Sequence, residues 1–272
     1  MKKLLLGLIG SGIQRSLAPA LHEEEGRHHG LRVHYQLIDL QDVETLPILM
    51  QAARAMGFAG LNITYPCKQS VIPLLDGLSD EAKAIGAVNT VVRDANRLVG
   101  HNTDGSGWSW GFRRALPGAD LARVVLLGAG GAGSACADAV LRLGAGQLLI
   151  VDQDPARAAA LAARLPGSRA KAGVDLPAAL ADATGLIHAT PSGMAKMPAM
   201  PLPAGLLKPS LWVSEIVYVP LETPLLSAAR RIGCATADGG HMAVGQAIGA
   251  FKLFTGVEAD AARMEACFRR MA

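Results

Sequence analysis

Gly128, Gly130 and Gly133 stand at the spacing GxGxxG, directly after the apolar run RVVLL (123–127) and at the start of a helical pattern. In that setting the first glycine permits a tight turn and the second lets the backbone approach a pyrophosphate. The third allows close helix–strand packing. A helix N-terminus there adds free N–H groups and a positive dipole end for phosphates. Ala129, Gly131 and Ala132 complete the loop. The next apolar run, QLLIV (147–151), ends at Asp152-Gln153-Asp154, ~20–25 residues past the first glycine, where a carboxylate can accept from both ribose hydroxyls of a dinucleotide. Carboxylates repel a 2′-phosphate, so this ending favours NAD over NADP. Arg157 pulls the other way, since a guanidinium one turn on can reach such a phosphate or simply pair with Asp154. The bland alternative for the whole cluster is a glycine turn needed only for packing.

Short apolar runs alternate with helical patterns along most of the chain, which argues for an α/β architecture with mostly parallel strands. LLLGLIG (4–10) reads as a buried strand, with Ser16 as the N-cap of a helix running towards Gly30 and Pro19 in its first turn. A second strand spans His34 to Leu40. Leu46, Leu49, Met50 and Ala53 give one buried helix face, closed by Gly57. FAGLNI (58–63) is a third strand leading into the loop Thr64 to Lys68. The segments on either side of Asp94-Ala95-Asn96 read as a hairpin. Met194 to Pro209 reads as a long loop or lid, because a strand pattern resumes from Leu211 to Val217.

The chain has 272 residues, 50% hydrophobic and 18% charged, enough for two modest domains or one large one, and not a disordered tail. A net charge of +3, spread without like-charge runs, and 4% aromatics argue against a nucleic-acid partner. Cys67, Cys136, Cys234 and Cys267 form no CxxC pair, and the histidines form no HExxH, so no metal is expected and buried reduced thiols are. Lys2-Lys3, the following apolar run and Ala18-Pro19-Ala20 imitate a signal peptide. Gly7 and Gly10 interrupt that run and Arg15 occupies the cleavage region, so a cytoplasmic protein is expected. No apolar stretch reaches ~18 residues, so no membrane partner is expected either.

Several stretches taken together resemble the shikimate/quinate dehydrogenase family. They are GLIGSGIQRSLAPALH (7–22), GLNITYPCK (60–68), GAVNTV (86–91), GHNTDGSG (100–107), GAGGAG (128–133), ATPSGM (189–194) and DGGHMAVGQA (238–247). They run in order over nearly the whole chain. The resemblance implies two α/β domains with a cleft between them. Residues 1–104 would bind substrate, completed by C-terminal helices at 241–272, and 105–240 would form a Rossmann-type dinucleotide-binding domain. It implies Lys68 and Asp104 as a catalytic pair handling the hydroxyl proton while hydride leaves the alcohol carbon, with the resting position of that proton left open. It implies Asn62, Thr64, Asn89 and Gln246 on the substrate hydroxyls, and Ser16 and Tyr218 on its carboxylate. Thr190, Met194 and Gly240 join the glycine loop, Asp152, Asp154 and Arg157 as cofactor-binding residues.

The chain departs from the family pattern in three places. Ala18 stands where a second hydroxyl residue is common, a loss worth ~1–3 kcal/mol if a carboxylate oxygen stays unsatisfied. Asp152-Gln153-Asp154 replaces an Asn-Arg-Thr-type NADP signature, and His241 replaces a glycine. The resulting expectation is an oxidoreductase acting on a polyol carboxylic acid, shikimate or quinate, with NAD as cofactor and NADP possible, as a monomer or homodimer. The alternatives are an aminoshikimate or aminoquinate dehydrogenase, and a non-catalytic cofactor-sensing protein.

Overall fold

The computed structural model describes residues 2–173 and 175–272. The chain divides into two compact units, residues 1–103 with 246–271, and residues 104–245.

The first unit contains β1 (Lys3–Gly10), α1 (Ala18–His28), β2 (Arg32–Asp39), α2 (Leu46–Met56), β3 (Gly60–Ile63), β4 (Gly77–Leu78), α3 (Asp80–Ile85), β5 (Thr90–Asp94) and β6 (Arg97–His101). Its sheet has the order β2-β1-β3-β5-β6-β4, with β1 parallel to β2 and β3, and with β5 antiparallel to both β3 and β6. Both faces of β1 are covered, which is why it reads as a continuous apolar run. Leu4, Leu6 and Leu8 enter one core with Tyr35, while Ile9 enters another with α2's Leu46, Met50 and Ala53. Gly57 ends α2 in the left-handed conformation at φ +80°. The helix α1 starts one residue later than the sequence suggests. Leu17 is its N-cap, and the Ser16 hydroxyl, just outside, accepts from the Ala18 N–H at 3.3 Å. Pro19 has no N–H to offer a cap, so the hydroxyl takes the donor before it.

The second unit contains α4 (Asp104–Ala115), β7 (Arg123–Leu127), α5 (Gly131–Arg142), β8 (Gln147–Val151), α6 (Pro155–Arg164), β9 (Ala170–Ala172), α7 (Leu176–Ala181), β10 (Gly185–His188), β11 (Trp212–Glu215), α8 (Pro224–Ile232) and β12 (Thr236–Ala237). All strands of its sheet are parallel, in the order β12-β11-β10-β7-β8-β9. The chain moves outward from β7 to one side and then from β10 to the other, so the carboxyl ends of β7 and β10 flank a topological switch point. One face is covered by α4, α5 and α6 through Trp108, Phe112, Val140 and Leu161. The other carries Leu180, Leu225 and Ala229. The proline-rich stretch before β11 packs on this second face through Leu202 and Leu207, and so is a docked connection rather than a loose lid.

Two further helices follow, α9 (Gly239–Thr255) and α10 (Ala261–Met271). The division between units falls within α9, whose later turns bring Ala250 and Phe254 into the core beneath β1. A Cβ on Gly60 would stand 2.2 Å from the Phe254 ring, so this glycine makes room for the helix. The buried Glu25 of α1 accepts from the Asp260 N–H at 2.7 Å and from Arg263 Nη1 at 3.2 Å, which ties down the start of α10. Among the described residues no helix is long and apolar enough to cross a membrane.

Candidate functional site

In the second unit, the glycine loop links β7 to α5 at the centre of the sheet. Gly128 takes φ +107°, and a Cβ there would stand 2.6 Å from the Ala189 carbonyl oxygen. At Gly133 a Cβ would meet the Gly128 carbonyl oxygen at 2.0 Å. These two glycines are therefore required by packing. Gly130 is different: it is the N-cap of α5, and no heavy atom lies within 4 Å of where its Cβ would stand. No side chain caps this helix start, so the first-turn N–H groups, Gly131 to Gly133, are those an anion would meet.

Asp152, just past β8, is held by two bonds. Its Oδ2 accepts the Ala129 N–H at 2.7 Å and its Oδ1 the Asp154 N–H at 2.9 Å. The carboxylate thus braces the glycine loop while keeping further acceptor capacity for hydroxyl groups. Asp154 is the N-cap of α6, accepting from the Ala156 N–H at 2.9 Å, and its other oxygen lies 3.7 Å from Arg157 Nε. Both partners of that ion pair are largely exposed, and such pairs contribute little. The sugar and phosphate groups of a dinucleotide fit this set: an open anion site at a helix start and a fixed carboxylate at the end of the next strand.

On the opposite side of β7, Thr190 and Met194 occupy the half-buried loop after β10. Tyr218 follows the turn Ile216–Val217, whose two N–H groups donate to Glu215 Oε1 at 2.8 and 2.9 Å. Gly240 lies in the first turn of α9 and donates to Asp238 Oδ1 at 3.0 Å. His241 packs its backbone against Gly111, where a Cβ would stand 2.8 Å from the His241 carbonyl carbon. Asp104 is buried as the first residue of α4.

In the first unit, Lys68 and Thr64 are half-buried on the turn after β3, which contains a cis Tyr65–Pro66 peptide. Backbone bonds dock this turn: Thr64 N–H to Ile9 O at 2.9 Å, Ser11 N–H to Tyr65 O at 2.9 Å and Val88 N–H to Lys68 O at 2.8 Å. Gly10 allows the approach, since a Cβ there would strike Thr64 Cγ2 at 2.3 Å. Burial pushes the neighbouring Cys67 thiol up to about 11, so it stays protonated and inert beside Lys68.

Asn62 and Asn89 lie in a buried polar network. The Tyr35 hydroxyl donates to Asn62 Oδ1 at 2.7 Å, and Asn62 Nδ2 donates to Asn89 O and to Thr90 Oγ1. Asn89 Nδ2 donates to Thr103 Oγ1 at 2.9 Å while its Oδ1 accepts the Thr103 N–H at 2.8 Å. Thr103 Oγ1 in turn bonds the Gln246 carbonyl at 3.0 Å. Tyr35, Thr90 and Thr103 are not singled out by sequence reading, because no local motif marks them. Nor are His188 and Glu215, a buried pair with Nδ1 2.9 Å from the carboxylate. One signal was available for these two: each is ionisable and ends a buried parallel strand, where α/β sheets place their ligands. Among the described residues no group of three or more His, Cys, Asp or Glu side chains gathers as a metal site.

The second unit's strand order and glycine loop define a Rossmann-type fold. Residues 8–91 match the shikimate dehydrogenase substrate binding domain. The chain is 57% identical to a shikimate dehydrogenase (NADP(+)) of Streptomyces avermitilis, over 98% of this chain and 96% of that one. It is 47% identical to a quinate/shikimate dehydrogenase (NAD(+)) of Corynebacterium efficiens, over 97% of each. The quinate dehydrogenase of Corynebacterium glutamicum, solved in complex with NAD, superposes with a TM-score of 0.90 at 43% identity, covering 99% of this chain and 100% of that one. This chain belongs to the shikimate/quinate dehydrogenase family.

Proposed function

We propose that the protein is a dehydrogenase that interconverts shikimate or quinate and the corresponding 3-dehydro acid, with NAD preferred over NADP. The observation that carries the cofactor choice is Asp152. Its carboxylate is fixed at the end of β8 by the Ala129 and Asp154 N–H groups, where it repels a 2′-phosphate and accepts from ribose hydroxyls. Arg157 is the opposing charge; its Nε stands 3.7 Å from the Asp154 carboxylate, which sets a second negative charge beside it. Relatives of both cofactor types are close, so their names leave the choice to this geometry.

When bound, the nicotinamide supplies the hydride acceptor. The chain's own residues handle the rest. Oxidising a secondary alcohol also releases the hydroxyl proton, which falls to Lys68 and Asp104. Lys68 is steadied by the Val88 N–H on its carbonyl. Asn62, Thr64, Asn89 and Gln246 meet the substrate hydroxyls, and Asn62 also donates to the Asn89 main-chain carbonyl. Ser16 and Tyr218 hold the carboxylate. The Ser16 hydroxyl accepts from Ala18 N–H, which leaves its own proton to donate to an anion. The glycine loop would hold the dinucleotide's pyrophosphate, and Thr190, Met194 and Gly240 would hold its nicotinamide half.

The test is cofactor reduction by purified protein, crossing NAD and NADP with shikimate and quinate. Turnover with NAD on either acid is expected. Turnover with NADP alone would overturn the Asp152 argument, and no turnover with any pair would overturn the activity.

A further inference from the structure

We propose that Glu215 and His188 are positioning residues that fix the direction of the Thr190 hydroxyl, so that Thr190 presents an acceptor to the nicotinamide half of the dinucleotide. This rests on the dinucleotide reading above and adds to it two residues with no part in that mechanism.

Glu215 accepts from every partner it has in this cluster. Its Oε1 takes the Ile216 and Val217 N–H groups, its Oε2 takes the Thr223 hydroxyl at 3.0 Å, and both oxygens lie 2.9 Å from His188 Nδ1. A carboxylate surrounded by donors requires hydrogen on Nδ1 of His188. The proposed state of the ring is the neutral Nδ1–H tautomer, in which Nε2, 2.5 Å from Thr190 Oγ1, is the acceptor. The Thr190 proton therefore points inward to the histidine. Its oxygen accepts the Ser192 N–H at 3.3 Å and keeps a lone pair for a further donor. Glu215 and His188 are 1% and 0% exposed, so water does not compete for these bonds.

The cluster's position gives the direction meaning. His188 and Glu215 end the adjacent strands β10 and β11, and Thr190 Cγ2 lies 3.0 Å from where a Cβ of Gly128 would stand. Asp152 marks the ribose on the β8 side of the glycine loop. A dinucleotide whose pyrophosphate meets the start of α5 extends its other half over β10 and β11. The donor that belongs to the nicotinamide itself is the carboxamide NH₂, and an acceptor facing it is the complementary partner.

The experiment is calorimetric binding to the full-length protein of NADH and ADP-ribose, and of NADPH and 2′-phospho-ADP-ribose. ADP-ribose keeps the adenosine, pyrophosphate and second ribose but lacks the nicotinamide. Thr190→Val and His188→Phe are each expected to weaken the reduced cofactor by roughly 5–10-fold while leaving the ADP-ribose fragment within about two-fold. The double variant is expected to be no weaker than either single one, and Thr190→Ser to retain wild-type binding. Should His188→Phe fail to fold, Glu215→Gln, which removes the carboxylate that holds hydrogen on His188 Nδ1, is expected to give the same selective loss, and unchanged cofactor binding in it would overturn the proposal. Equal losses on cofactor and fragment, or no loss on either, would overturn the proposal. Wild-type protein that binds none of the four ligands would overturn the dinucleotide reading itself.

Discussion

His22 is wholly buried and stacked 5.0 Å from the Tyr35 ring, with Phe251 and Phe254 alongside, and neither ring nitrogen has a hydrogen-bond partner among the described residues. Burial therefore lowers its pKa from the ordinary 6.5 to about 3. Between those values the unfolded chain binds a proton that the folded chain refuses. Stability from this group is thus complete above pH 6.5 and declines as pH falls towards 3. His22→Phe should flatten that decline, read as a smaller loss of urea midpoint between neutral and mildly acidic buffer. An unchanged pH slope would refute the account. The same stack lies under the Tyr35 hydroxyl that holds Asn62, so acid loosening should reach the substrate side as well. Lys68 calls for the opposite experiment. It is half-exposed on a turn docked by backbone bonds, so Lys68→Ala should leave the melting curve within about 0.5 kcal/mol of wild type. Turnover should fall by roughly 10²–10⁴-fold if Lys68 handles the proton. A variant retaining full kcat would remove it from the mechanism.

Glycines of the β7–α5 connection separate packing from binding. Gly133→Ala drives a methyl group to within 2.0 Å of the Gly128 carbonyl oxygen, so α5 cannot keep its seat and a stability loss of about 3 kcal/mol or more is expected. Gly130→Ala meets open space at an ordinary φ of −75°, so melting should be nearly unchanged. On the proposed dinucleotide reading its new methyl group would stand in the path of the pyrophosphate, and dinucleotide binding should weaken at least ~10-fold by calorimetry. Equal effects of the two substitutions would contradict this division. Elements of this kind were legible in the sequence because their signals are local. Gly57 closing α2, the β5–β6 hairpin around Ala95 and the glycine loop each carry their own cue within a few residues. The edge strands β4, β9 and β12 were not legible, being two or three residues long and defined only by what they pair with. The same reason hid the Tyr35–Asn62–Asn89–Thr103 network and the His188–Glu215 pair. Their partners are brought together by strand register, and a residue's type does not disclose which strand will lie beside it. Ser16 shows the finer limit: its residue type announced a helix start, yet Pro19 shifted the cap by one position.

At the scale of the molecule, the first unit is assembled from both ends of the chain. Arg263 and the Asp260 N–H satisfy the buried carboxylate of Glu25, while Phe254 and Ala250 cover the β1 face of Leu4, Leu6 and Leu8. Arg263→Ala should leave that carboxylate short of a positive partner and destabilise the protein by about 2–3 kcal/mol, a figure reduced for Arg263 being partly exposed. A loss below about 0.5 kcal/mol in chemical denaturation would show the pair to be dispensable. A fragment of residues 1–103 should likewise lack a cooperative transition, whereas residues 104–245 form one uninterrupted unit and should retain one. This arrangement inverts birth order and folding order. On the ribosome β1 emerges well before the helix that covers it, and the intervening segment can fold while β1 still waits. During that interval the leucines of β1 are surface for a chaperone to shield, and a premature stop before Ala250 and Phe254 would be felt first at β1, far upstream in the sequence.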